Sequence, residues 1–211
     1  MPPSSMKISF ILSAALLFFA TAAQAATVFD TIGPTGVTTG GSGVFVGTTS
    51  GTNYERAASF SFSGTQSFIL TGIDLLLDNT GNTIRLWSDS AGAPGTILDS
   101  AANETFVVNS LYSASLSGGI QLDPNTTYWI SVARPSGSSA WRYTSAGPYF
   151  YGDRMHRDNG GAWADSSPRY GQLYGFTVTG TPVVVPLPAA MWLFGSGLLG
   201  LVAFSRRCQD A

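Results

Sequence analysis

An all-β, antiparallel sandwich is the fold class this sequence predicts, and three observations carry the prediction. Apolar residues recur with period two between Ala26 and Gly180, turn residues interrupt those runs at short intervals, and no long stretch places apolar side chains at i, i+3, i+4 and i+7. Many short strands joined by Gly- and Pro-rich turns must bury their apolar faces against a second sheet. A chain of 211 residues, 44% hydrophobic and only 10% charged, is long enough for one proper core with peripheral segments. It divides into a signal peptide over 1–25, a β-sandwich domain over 26–180 and a C-terminal segment over 181–211.

The N-terminal segment, MPPSSMKISFILSAALLFFATAAQAA, has one basic residue, Lys7, then an uncharged apolar run from Ile8 to Ala20, then small residues ending in Ala23-Gln24-Ala25. A signal peptidase admits only small side chains at its subsites, so Ala23 and Ala25 mark a cut after Ala25. The apolar run falls short of the ~20 residues a spanning helix needs, so it is expected to be a cleaved signal helix rather than an anchor. Export implies an oxidising compartment, yet the chain's single cysteine, Cys208, lies beyond the domain. No intrachain disulfide is available and the core alone must hold the fold, as befits a bacterial envelope or exterior protein.

Within the domain, ASFSFS sets Phe60 and Phe62 against Ser59, Ser61 and Ser63. GIDLLLD groups Ile73, Leu75 and Leu77, and FTVTG separates Phe176 and Val178 from Thr177 and Thr179. Turn signals fall at Asp78–Asn82, Ala91–Gly95, Ser117–Gly119, Pro135–Ser139 and Asp158–Gly161. The stretch LDPNTTYWISV has the pattern L-x-P-x-T-x-Y, which looks like a tyrosine corner, with the Tyr128 hydroxyl bonding back to upstream backbone. That favours Greek-key connectivity of jelly-roll or immunoglobulin/fibronectin-like type. It also turns Tyr128, Ile130 and Val132 inward and leaves Trp129 and Ser131 on the other face, where Trp129 and Trp87 could line a second buried surface.

The C-terminal segment supplies a second apolar run. Ala189 to Phe204 is uncharged, and as a helix it would reach ~24 Å, slightly less than a ~30 Å hydrocarbon core. Pro186 and Pro188 keep the preceding stretch extended, while Arg206 and Arg207 supply positive charge that stays cytoplasmic. Ser196 and Gly200 are spaced for close approach of another membrane helix. A transient single span with the domain outside is expected; a plain permanent anchor is the competing reading. A glycolipid-anchor signal is disfavoured because the chain ends in RRCQDA rather than in apolar residues.

The run VPLPAAMWLFGSGLLGLVAFSRR resembles the PEP-CTERM sorting signal of bacterial exosortase systems. Val185, Pro186, Leu187 and Pro188 stand at the recognition motif, and Arg206 and Arg207 at the stop. Leu187 occupies the place of the name-giving Glu, which leaves the cut site open. The resemblance implies cleavage near the prolines by an exosortase-type membrane transpeptidase, release or reattachment of the new C-terminus, and association with exopolysaccharide in a biofilm matrix. The stretches Ile84–Leu98, Leu122–Ala133 and Ser138–Thr144 are similar to choice-of-anchor R domains, a family that implies a location and a sandwich but no reaction.

Composition excludes several chemistries. A formal charge of -2 with scattered arginines offers no track for a phosphate backbone, so nucleic acid is not an expected partner. Lys7 is the only lysine, and no G-x-S-x-G elbow accompanies the lone His156 and its neighbours Asp153 and Asp158. Neither catalytic residues, cofactor nor metal is expected, since no second histidine completes a zinc site and the Asp/Asn turns lack calcium-loop spacing. The rival to a non-enzymatic surface protein is a carbohydrate-binding module. Trp141, Tyr149, Tyr151 and Trp163 would cover sugar faces, with Asp153 and its neighbours Arg142, Arg154, Asp158 and Asn159 bonding hydroxyls.

Overall fold

The computed structural model describes residues 24–33, 43–103, 105–108, 111–116, 119–143, 153–166 and 174–184, together with Gly197. Among them are fourteen strands. In chain order the first seven are β1 (Ala26–Asp30), β2 (Gly43–Thr49), β3 (Thr52–Phe60), β4 (Phe68–Leu76), β5 (Thr83–Ser90), β6 (Ala93–Ala102) and β7 (Thr105–Val108). The rest are β8 (Leu111–Ala114), β9 (Gln121–Leu122), β10 (Tyr128–Ala133), β11 (Ser138–Arg142), β12 (Arg154–Asp158), β13 (Ala164–Asp165) and β14 (Phe176–Pro182).

All pairings are antiparallel and fall into two sheets. A six-stranded sheet runs β1-β14-β4-β8-β7, with β9 also on β4. An eight-stranded sheet runs β11-β2-β3-β10-β5-β6, with β12 also on β3 and β13 on β12. The chain alternates between them, so the hairpins β2–β3, β5–β6 and β7–β8 are stitched together by connections that change sheet. One apolar cluster draws on both sheets: Ile73, Leu75, Phe176 and Val178 from the first, Phe60, Ile84, Leu86, Tyr128, Ile130 and Val132 from the second. Period-two alternation thus selects the residues that meet between the sheets.

Turn chemistry fixes the registers. Ser50 and Gly51 between β2 and β3, and Ala91 and Gly92 between β5 and β6, all have φ > 0, as do Asn159 and Gly160 after β12. Positive φ at both central residues is the geometry whose twist matches a hairpin's strands. The Ala91–Gly95 signal therefore marks a shorter turn than its five residues imply, since Ala93, Pro94 and Gly95 already belong to β6. Pro94 is tolerated there because β6 is an edge strand. The ASFSFS alternation also outruns its strand: β3 ends at Phe60, and Phe62 packs against the core from the following loop, edge-on to Phe68.

The tyrosine corner is present. The Tyr128 hydroxyl accepts the Asp123 backbone N–H at 2.9 Å, tying the entrance of β10 to the loop before it. The opposite face of β10 is also covered: Trp129, Trp87 and Ala57 are buried together, with Met155 and Trp163 packed over them.

Two local features position the cavity described below. At the start of β3, Tyr54 pairs with Gly47 of β2; past that point β2 pairs with β11 and β10 takes its place beside β3 from Arg56 to Phe60, while β12 lies along the opposite edge of β3 from Tyr54 to Ala58. The sheet therefore forks at Gly47. Its φ is +107° and a Cβ there would lie 2.4 Å from the Gly137 carbonyl oxygen, so only glycine fits the branch point. On the far side the two sheets are joined by backbone: Leu77 bridges Trp141, Tyr143 bridges Tyr174, and the Gly175 N–H donates to the Arg142 carbonyl.

Candidate functional site

Among the described residues, the two tryptophans expected in a sugar platform do not come together. Trp141 is fully buried. Its ring stacks on Tyr174 at 4.5 Å between centroids, and its indole N–H donates to the Gly175 carbonyl at 3.1 Å. With no exposed face it cannot cover a sugar, and its place in the sandwich-loop platform is corrected to the core. The cause is the bridge between sheets, which turns alternate residues of β11 inward. Trp163 is partly buried on the opposite surface, against Trp87 and Arg157. Asp153 is exposed, with its backbone bonded to Ser59, and Tyr149 and Tyr151 lie outside the described residues. Arg142 forms a two-pronged pair with Asp78.

A charged network that the sequence reading passed over sits beneath Trp163. Glu55 is 5% exposed. Its carboxylate accepts from Arg85 at 2.8 Å, from the Ser131 hydroxyl at 2.6 Å and from Arg157 at 2.7 Å. Ser131 in turn accepts the Trp87 indole N–H at 2.8 Å. The Arg157 guanidinium lies 5.1 Å from the Trp87 ring centroid and 4.6 Å from that of Trp163. Register brings the set together, since Glu55 pairs with Arg157 while Ser131 pairs with Arg85. The signal was available: period two places Glu55 on the face of Ala57 and Ser59, where small residues make room for a covering layer. Every oxygen is matched to a donor, so the network holds β12 and the Trp163 turn onto the sheet.

The fork at Gly47 opens on the other face into a cavity of about 540 Å³. Arg56 and His156, directly paired across β3 and β12, line it, with Arg154 one step along the same face. Tyr143 and Tyr174 form an aromatic wall, their rings stacked at 5.5 Å. Arg154 is buried with its guanidinium 5.5 and 5.6 Å from those two ring centroids. Asp165, Ser166 and Val44 complete the lining, and the Ser166 hydroxyl lies 3.0 Å from His156 Nδ1. Arg56 is held by donation from Nε to the Phe45 carbonyl at 3.1 Å, across the fork itself.

Burial pushes the Tyr174 phenol up to about 12, with Tyr143 adding to the effect and Arg56 and Arg154 opposing it. An acid raised in the folded state keeps its proton there after the unfolded chain has lost it. The associated stability is complete below about pH 10 and falls as pH rises toward 12. Two pH units correspond to about 2–3 kcal/mol. In unfolding measurements between pH 10 and 12, the wild type should lose about that much more stability than Tyr174→Phe, which has no proton to release.

The two termini frame this domain. Ala25 is exposed immediately before β1, and Ala23 lies outside the described residues. At the other end β14 runs past Gly180 to Pro182, the Val183 N–H donates to the Ser67 carbonyl, and Val184 is 70% exposed. Val185, Pro186, Leu187, Pro188, Arg206 and Arg207, and with them the expected membrane helix, lie outside the described residues; among the described residues no helix is long and apolar enough to cross a membrane.

Residues 184–207 match the PEP-CTERM protein-sorting motif. The match begins where the described fold ends and supports an exosortase-sorted protein, secreted and processed for the cell surface. No curated protein matches the chain.

Proposed function

We propose that the chain is a non-enzymatic surface protein, exported by its signal peptide, held briefly in the membrane by Ala189–Phe204, and cut near Pro186 and Pro188 by an exosortase-type transpeptidase. The released or reattached β-sandwich then resides in the exopolysaccharide matrix. The observation that carries this reading is the sorting-motif match over 184–207, directly after the last residues tied to the sheet. Val184, the first residue of the match, is exposed, and prolines such as Pro186 and Pro188 disfavour a regular helix.

The stretches that resemble choice-of-anchor R domains fall on the β5–β6 hairpin (Ile84–Leu98), on the tyrosine corner and β10 (Leu122–Ala133) and, from Ser138, on β11. Such a domain supplies a stable body for display rather than a reaction. Replacing Pro186 and Pro188 together with alanine in the native host should shift the protein from the processed, surface-exposed form to a membrane-retained form of higher mass, read by immunoblot of cell fractions. Unchanged processing in that variant would overturn the reading.

A further inference from the structure

We infer that the cavity at the forked sheet is a binding site for a carboxylate-bearing sugar, a uronic acid residue or a short acidic oligosaccharide. It shares Arg154 with the platform expected around Trp141 and Trp163, but neither tryptophan lines it and its chemistry is of another kind. A planar carboxylate is matched by a guanidinium, which presents parallel N–H donors. Arg56 offers one: its Nε is committed to the Phe45 carbonyl, and that bond fixes the plane in which the remaining η N–H donors project. Arg154, laid against Tyr143 and Tyr174, adds a second positive charge from the wall. Among the described lining residues these two guanidiniums stand with one carboxylate, Asp165, in a site partly screened from water where charge counts for more.

The remainder of the lining suits a hydroxylated ring rather than a bare anion. Tyr143, half-buried and backed by the buried Tyr174, is the aromatic surface left for the C–H face of a pyranose. Ser166, His156 and Asp165 stand together on the rim as donors and acceptors for hydroxyls. A volume of about 540 Å³ admits one or two sugar rings. The rigid β3–β12 ladder carries Arg56, Arg154 and His156 in register, so the site is positioned by sheet hydrogen bonds. The inference deepens the surface-matrix reading only by naming what is met there, and its test uses no step of sorting.

The test is calorimetric titration of the full chain, purified in detergent, with glucuronate, glucose and inorganic phosphate. Saturable one-to-one binding of glucuronate is expected, with glucose and phosphate each at least about tenfold weaker, because each lacks one half of the match. Arg56→Gln should weaken glucuronate by about tenfold or more, and Ser166→Ala, on the rim and outside the core, by about threefold to tenfold. Thermal melts compare the folding of both variants with the wild type, and Ser166→Ala decides if Arg56→Gln does not fold. Glucuronate that fails to bind, glucose or phosphate that binds as tightly, or full affinity in the folded variants overturns the inference. Failed tail processing in the host leaves this assay unaffected, so the two readings fail separately.

Discussion

Trp141→Ala is expected to destabilise the domain by about 3–5 kcal/mol, the range for removing a fully buried large aromatic side chain. Three losses coincide. The indole is the largest class of side chain in the core and has no exposed surface, so its removal leaves a cavity between the sheets. Its stack on Tyr174 disappears, and with it the flanking contact to Phe176. The Gly175 carbonyl loses its indole donor, although it still accepts from the Leu76 N–H at 2.9 Å, which moderates that part of the cost. The site cannot collapse easily, because the Leu77–Trp141 bridge and the Asp78 N–H to Ala140 carbonyl bond hold the backbone of both sheets at this seam. Urea unfolding followed by circular dichroism measures the loss. A change below about 1 kcal/mol would place Trp141 at the surface and restore it as a ligand platform.

Glu55→Gln should cost about 2–4 kcal/mol, since breaking a buried ion pair leaves its partners without their countercharge. The amide keeps the shape but removes the negative charge facing Arg85 and Arg157, whose side chains are 25% and 17% exposed and so retain only part of their hydration. It also replaces one accepting oxygen with a donor among groups that are themselves donors. The Asp78–Arg142 pair is the internal comparison. With side chains 30% and 38% exposed, Asp78→Asn should cost less than about 1 kcal/mol, because solvent screens an exposed pair. Because Arg157 lies between Trp87 and Trp163, loss of the Glu55 charge should also loosen the Trp163 turn, seen as a red shift in tryptophan emission before global unfolding.

What the sequence made legible was local. Alternation picked out Ile73, Leu75, Leu77, Phe176 and Val178 because period two is all a half-buried strand requires, and every one of them is in the core. Tyr128 was readable for the same reason: its partner, the Asp123 N–H, lies within one loop. Trp141 was not, because the partners that bury it, Tyr174 and Gly175, lie far along the chain and its inward direction depends on β11 pairing with β2 and bridging β4. Placing Trp141, Asp153 and Trp163 in one platform assumed that nearness in sequence means one surface, whereas β11 and the turn after β12 deliver their side chains to opposite sides of the eight-stranded sheet. The cavity was hidden for a related reason. Arg56 and His156 become neighbours only because β12 returns to pair the edge of β3 opposite to β2, and a fork in a sheet leaves no periodic trace beyond the glycine that permits it.

The account stands on the C-terminal stretch being removed once it has directed the chain. Intact mass measurement of the protein recovered from its native host tests this most directly. The prediction is a polypeptide that begins at Ala26 and ends close to Pro186 and Pro188, without Ala189–Phe204 or the arginine pair, whether or not a further group is attached at the new end. A mass that still includes Arg206 and Arg207 would contradict it and make the apolar run a permanent tether.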